Sequence, residues 1–282
     1  MPLALIMSSH VAASRVGGTV QALAFSALGI DPVMVPTVLY GRHPGWGAPG
    51  GAAVSAEVFE AMLEGVQANG LFGLADVVIT GYFASAAQVR AAARAIDAVR
   101  ASGRSGSYSP RATIIVDPIM GDAGKGLYVP TEVAEAIASE LVGRADLISP
   151  NAWELERLAG GPVRDANAAV EVGRRLGRPI LISSIPDGDD MGVVYADANE
   201  AWLAAHSRAP RAPAGTGDLL AALYATAVVE KLSPRDALAR AVGGVVETVN
   251  AANAWGSPEL PVVAMGTRIG KGSPSVRIER SA

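Results

Sequence analysis

Short apolar runs that alternate with alanine-rich, helix-length stretches constrain this chain most. Residues 3–7, 33–38, 77–80, 113–116, 147–149 and 180–183 are mostly apolar along their length, as strands covered on both faces should be. Between them lie helical candidates at 19–28, 56–70, 86–102, 131–141, 152–159 and 166–176. Strands separated by helices of this length build βαβ units and a mainly parallel sheet, so the expected class is α/β. The rhythm continues without a linker, and residues 1–282 are expected to form a single domain.

Residues 193–196 and 201–206 face each other across Asp197-Ala198-Asn199-Glu200 and read as an antiparallel hairpin. Two long helices are expected at 218–230 and 234–253, the second opening on an N-cap and proline, Ser233-Pro234. Residues 268–282 carry Gly, Ser, Pro and charge and read as a loose tail. Three irregular stretches, 39–53, 118–130 and 184–190, each follow a strand. In a doubly wound sheet that places them on the edge where ligands bind.

Composition removes several functions. A formal charge of −4 and the lack of a Lys/Arg run leave no footprint for nucleic acid. The chain has no cysteine, which excludes disulfides, thiolate chemistry and cysteine-held metals. With only His10, His43 and His206, a site of several histidines around a metal is not expected. The start lacks the charged region of a signal peptide, and no stretch of about 18 apolar residues offers a membrane span. The expected setting is the cytoplasm.

The strongest chemical signal is Ala214-Gly215-Thr216-Gly217-Asp218-Leu219-Leu220 leading into a helix. Two glycines let the backbone turn tightly, and the helix start adds unpaired N–H groups and a positive dipole end: a cradle for an anion. An acid placed there either caps the helix or removes a proton from a hydroxyl attacking a phosphate. Spacing alone leaves both open. A second motif, Asp117-Pro118-Ile119-Met120-Gly121-Asp122 with Gly126-Leu127-Tyr128, puts a carboxylate at a strand end, suited to Mg²⁺ or to a plain Asp-Pro turn. A third, Pro150-Asn151-Ala152-Trp153-Glu154, has the form of a capping box at the same edge.

Gly-Thr-Gly-Asp before a small-residue helix resembles the C-terminal signature of the ribokinase superfamily, and Asp-Pro-Ile-Met-Gly-Asp resembles the pyridoxal kinase and hydroxymethylpyrimidine kinase branches. The resemblance spans residues from about 5 to about 253, with its motifs in order. It implies a three-layer α/β/α sandwich, Asp218 as catalytic base, and Gly215, Thr216 and Gly217 as an anion hole. It places Asp117, Asn151, Glu154, Ser183 and Ser184 around ATP, with Asp117 and Glu154 toward Mg²⁺ through water. A monovalent cation is left open. The superfamily's frequent homodimer is the expected assembly.

On the substrate side, Met7-Ser8-Ser9-His10-Val11 resembles the start of pyridoxal kinases, which implies that Ser9 bonds a pyridine ring. Gly81-Tyr82 matches a tyrosine that packs on the substrate, and His43 with Trp46 matches a substrate loop. A hydroxyl at a strand end also caps, and Tyr82 also fits a core. Three departures stand out. Pro44 replaces a family threonine and brings neither hydroxyl nor N–H. Ser183 stands about where some bacterial pyridoxal kinases carry a lysine, and Ser183-Ser184 where other branches have Thr-Ser. Ser14 and Gly18 replace Gly and Asn. The expected activity is ATP-dependent phosphorylation of the pyridoxal hydroxymethyl group. A hydroxymethylpyrimidine kinase is the alternative, and a non-catalytic B6- or nucleotide-binding protein the reading from another class. A dinucleotide-dependent dehydrogenase lacks its Gly-x-Gly-x-x-Gly after the first strand.

Overall fold

A computed structural model describes residues 1–281. Its strands are β1 (Leu3–Val11), β2 (Asp31–Tyr40), β3 (Gly51–Ala53), β4 (Val77–Thr80), β5 (Thr113–Val116), β6 (Gly121–Asp122), β7 (Gly126–Leu127), β8 (Leu147–Ile148), β9 (Ile180–Asp187), β10 (Asp190–Ala196), β11 (Ala201–His206) and β12 (Arg277–Arg280). The α-helices are α1 (Gly17–Ala27), α2 (Ala56–Ala68), α3 (Leu71–Leu74), α4 (Ala86–Ala101), α5 (Thr131–Ala136), α6 (Ala152–Ala159), α7 (Ala166–Arg174), α8 (Thr216–Val229), α9 (Pro234–Ala254) and α10 (Val262–Met265).

One 10-stranded sheet runs in the order β12-β11-β10-β9-β8-β5-β4-β1-β2-β3. Its centre, from β2 through β1, β4, β5 and β8 to β9, is parallel. Both margins turn antiparallel. The apolar start of the chain becomes the middle strand because both its faces are covered. Leu3, Leu5 and Met7 enter one core with α2 to α7, while Ala4 and Ile6 enter the other with α1, α8, α9 and α10. Each such side chain contributes about 1.5–3 kcal/mol when fully buried. This is the expected three-layer α/β/α arrangement.

The chain leaves β1 for β2 on one side and later returns to β4 on the other. The switch point therefore lies at the carboxyl end of β1, where ligands bind in such sheets. Ser8 and Ser9, Gly81, Asp117, Asn151 and Ser183 all sit at or just past the carboxyl ends of neighbouring parallel strands.

Two expectations are corrected. The tail does not stay loose to its end: Arg277–Arg280 pairs with β11, from Ala205↔Arg277 to Trp202↔Arg280. Val276 and Ile278 pack on the core while Arg277 reaches Asp187 and Asp190, the charged solvent side of an edge strand. Residues 184–190 likewise extend the β9–β10 hairpin, because Ser184 takes the left-handed conformation (φ 63°) in a bulge that keeps the ladder running.

Candidate active site

Gly215 precedes α8 with φ +90°, and a Cβ there would overlap the carbonyl oxygen of Arg15, so only glycine fits. Gly217 faces open space. The first bond of the helix runs from the Leu219 N–H to the Gly215 carbonyl at 2.9 Å. The N–H groups of Thr216, Gly217 and Asp218 thus begin the helix without intrahelical partners. Beside them Asp218 Oδ1 is buried with no hydrogen-bond partner. Burial pushes the Asp218 pKa up to about 6, while the backbone N–H groups of Gly17 and of Asp218 itself draw it down. An ionisable oxygen kept poised in this way next to free N–H groups is suited to accept a proton beside a phosphoryl group.

Two more carboxyls stand nearby. Asp117, 6% exposed at the end of β5, has its pKa held well above the usual range by burial first, then by the charges of Asp218 and Glu154. The turn after it bends sharply enough to put Ile119 at φ 39°, strain that a β-branched residue tolerates only where its surroundings impose it. Glu154 is 2% exposed, and burial raises its pKa to about 7. Its Oε1 accepts from the N–H groups of Met120 (2.7 Å) and Gly121 (3.3 Å), and its Oε2 from that of Asn151 (3.0 Å). Asn151 Oδ1 accepts the Glu154 N–H at 2.9 Å, and its Nδ2 donates to the Gly121 carbonyl at 2.9 Å. The capping box is therefore formed, and it clamps the loop after Asp117 to the start of α6. Tyr128, which was not among the expected site residues, borders the same cluster. Its phenol is pushed up by burial and by Glu154, Asp117 and Asp218. Among the described residues no three His, Cys, Asp or Glu side chains converge enough to hold a metal unaided.

Ser183, Ser184, Thr216 and Gly217 line one side of a cleft of about 430 Å³. Val242, Val245, Val246 and Val249 of α9 form its apolar wall, with His206 and Arg208 at its margin. The bulge at Ser184 turns the end of β9 into this cleft. The valines are the part of the site that sequence reasoning missed. Their i, i+3, i+4, i+7 spacing was a visible signal, but it reads equally as the core face of a helix.

On the other side, Ser9 is 7% exposed, and a Cβ on Gly17 would overlap its hydroxyl, so the start of α1 rests directly on Ser9. Gly17 thereby links Ser9 to Asp218. His43 caps a short turn, Pro44–Trp46, whose first residue is the proline that replaces threonine. Its Nδ1 accepts the Gly45 N–H at 3.1 Å, and its own N–H donates to Ser14 Oγ at 3.3 Å. Burial and the Lys125 charge lower the His43 pKa, with Glu259 opposing them. The neutral ring, accepting at Nδ1, presents Nε2–H as a donor. The Tyr82 carbonyl accepts from Thr37 Oγ1 at 2.6 Å, and burial followed by Tyr40 raises its phenol pKa. Gln88 Nε2 donates to the carbonyls of Thr37 (2.9 Å) and Val54 (2.7 Å), which ties this side to β2 and β3. The backbones of His43 and Tyr82 are thus held by Ser14 and by Thr37 of β2.

A cleft that ends on free helix N–H groups, with a buried acid beside them, is the architecture of a phosphotransferase. Residues 24–263 match the phosphomethylpyrimidine kinase family. The chain is 35% identical over 224 residues to the pyridoxine/pyridoxal/pyridoxamine kinase of Bordetella avium, covering 77% of this chain and 74% of that protein. It is 29% identical over 291 residues to the pyridoxal kinase PdxY of Pseudomonas entomophila, covering 99% and 97%. The pyridoxal kinase of Leishmania donovani, solved with ADP and pyridoxamine, superposes with a TM-score of 0.91 at 25% identity over 100% of both chains. The chain belongs to the phosphomethylpyrimidine kinase family, in its ribokinase-like pyridoxal kinase branch.

Proposed function

We propose that this protein transfers the γ-phosphoryl group of ATP to the hydroxymethyl oxygen of pyridoxal, giving pyridoxal 5'-phosphate and ADP. The observation that carries the reading is the unpartnered, buried Oδ1 of Asp218 beside the open N–H groups of the α8 start. Asp218 takes the proton of the attacking hydroxyl while the new O–P bond forms and the bond between the β-phosphate oxygen and the γ-phosphorus breaks. The N–H groups of Gly215, Thr216 and Gly217 hold the oxygens of the transferring group. Catalysis here is positioning and electrostatic stabilisation, as phosphoryl transfer requires.

The cleft lined by Ser183, Ser184 and the α9 valines accommodates the nucleotide, its apolar wall against the base and its serine hydroxyls toward the phosphates. Asp117 would hold Mg²⁺ through water with Glu154 behind it, a fit supported by the hard oxygen donors of two buried carboxyls at one site. When bound, the ion would neutralise phosphate charge, which matters more where Ser183 and Ser184 bring hydroxyls without charge. Ser9, His43 and Tyr82 take the pyridine side of the substrate. Asn151 acts by clamping the Gly121 loop.

Among the described residues no helix is long and apolar enough to cross a membrane. We place the enzyme in the cytoplasm, where ATP is supplied. We assign it a homodimeric state, which gel filtration with light scattering tests. Relatives that act on B6 vitamers favour pyridoxal over hydroxymethylpyrimidine. Offering the purified protein ATP with each alcohol in competition decides between them: preferential pyridoxal 5'-phosphate formation supports this reading, and preferential phosphorylation of hydroxymethylpyrimidine reverses it.

A further inference from the structure

The most informative residue outside the motifs is Glu259, which lies beyond α9 between two prolines. Its Oε2 accepts the N–H of Arg15 at 2.7 Å, 244 positions away in the chain. Its Oε1 is buried without a partner. A Ser257 turn fixes the segment: Ser257 Oγ donates to the Glu259 carbonyl at 2.8 Å and accepts the Glu259 N–H at 3.3 Å. Arg15 in turn backs the Gly215 backbone through its carbonyl, and two residues later the Gly17 N–H faces the carboxyl of Asp218.

We propose that Glu259 is a positioning residue for the phosphoryl transfer: by holding the Arg15 N–H it sets the turn from Arg15 to Gly17 that packs on Gly215 and orients Asp218. A carboxylate partly withdrawn from water to bond a single backbone N–H costs stability unless it fixes something. The turn it fixes touches Ser9, Gly215 and Asp218. Glu259 touches neither phosphate nor alcohol in this account. Apart from a charge that bears on His43, it acts through the loop, and its role in rate rests on the kinase reading above.

The test compares Glu259→Ala, Glu259→Asp and Glu259→Gln, with kcat, KM for ATP and amide hydrogen exchange at Arg15 and Gly17 as readouts. Ala removes the acceptor and Asp shortens its reach, while Gln keeps a carbonyl at the same distance. Both Ala and Asp are expected to lower kcat by roughly 10- to 100-fold, the scale of a displaced catalytic group. KM for ATP should stay unchanged and the two amides should exchange faster, while Gln restores most of kcat. A folded Ala or Asp variant with wild-type kcat and slow exchange overturns the proposal, as does a Gln variant that falls as far as Ala. If Ala does not fold, Asp and Gln decide. Should the wild type phosphorylate no alcohol, the kinase reading fails, yet the exchange data still decide whether Glu259 holds the turn.

Discussion

Asp218, in the first turn of α8, adds its charge to the burial that already lifts the pKa of Asp117 at the end of β5. The two are separated by about a hundred residues of sequence and converge only because α8 starts above the carboxyl ends of the central strands. Glu154 adds a third carboxyl to the same site. Burial opposes the ionisation of all three carboxyls in the place where a nucleotide brings negative charge.

Mg²⁺ removal should abolish turnover, since no charged side chain among the expected site residues offsets the phosphates. Because the described residues hold no three-ligand group, Mg²⁺ alone should leave Tm unchanged while Mg²⁺ with ATP raises it. A thermal-shift titration with each separately checks this.

Asp218→Asn should stabilise the ligand-free protein while removing its activity. The folded pKa of about 6 lies above the unfolded value of 3.8, so the ionised carboxyl destabilises the fold above pH 6, and that penalty vanishes as pH falls toward 3.8. A gain of about 1 kcal/mol would raise Tm by roughly 2–4 °C in a domain near this size. The gain should be full at pH 8, fall to roughly a third at pH 4.5 and vanish near pH 3, and paired melts across that range measure it.

Gly217→Val should separate stability from function. Gly217 faces open space, so the fold tolerates the side chain, but a branched group enters the anion cradle. The expected outcome is Tm within about 2 °C of wild type with kcat reduced by roughly 100-fold or more. Gly215→Ala, in contrast, collides with the Arg15 carbonyl and should lower Tm.

Val246→Trp should fill the nucleotide cleft from its apolar wall. KM for ATP should rise by about 10-fold or more, while pyridoxal binding, measured by fluorescence or calorimetry, stays near wild type. Equal loss of both would place the alcohol in the same cleft.

The fold was legible where burial on both faces wrote it into the residues. Val77–Thr80 and Thr113–Val116 are the strands their apolar runs announce, and Ala152–Ala159 is the helix its capping box announces. What stayed hidden was short or polar. β6 and β7 are two residues each around a glycine turn, and β12 carries three charges in four residues. In the proposed site, Asp218 and its glycines stand out because backbone geometry and the proposed chemistry demand the same few residues in a row. The α9 valines were not, since a ligand wall and a core face share one helical spacing. Glu259 was not either, because its single partner is a backbone N–H 244 positions distant.

The central claim is that Asp218 is the base of the phosphoryl transfer. Its most direct test is pyridoxal 5'-phosphate formation by Asp218→Ala under saturating Mg²⁺-ATP and pyridoxal, with ADP affinity measured in parallel by calorimetry. Turnover should fall by roughly 1,000-fold or more with ADP affinity within about twofold of wild type. Turnover near the wild-type rate in that variant would contradict it.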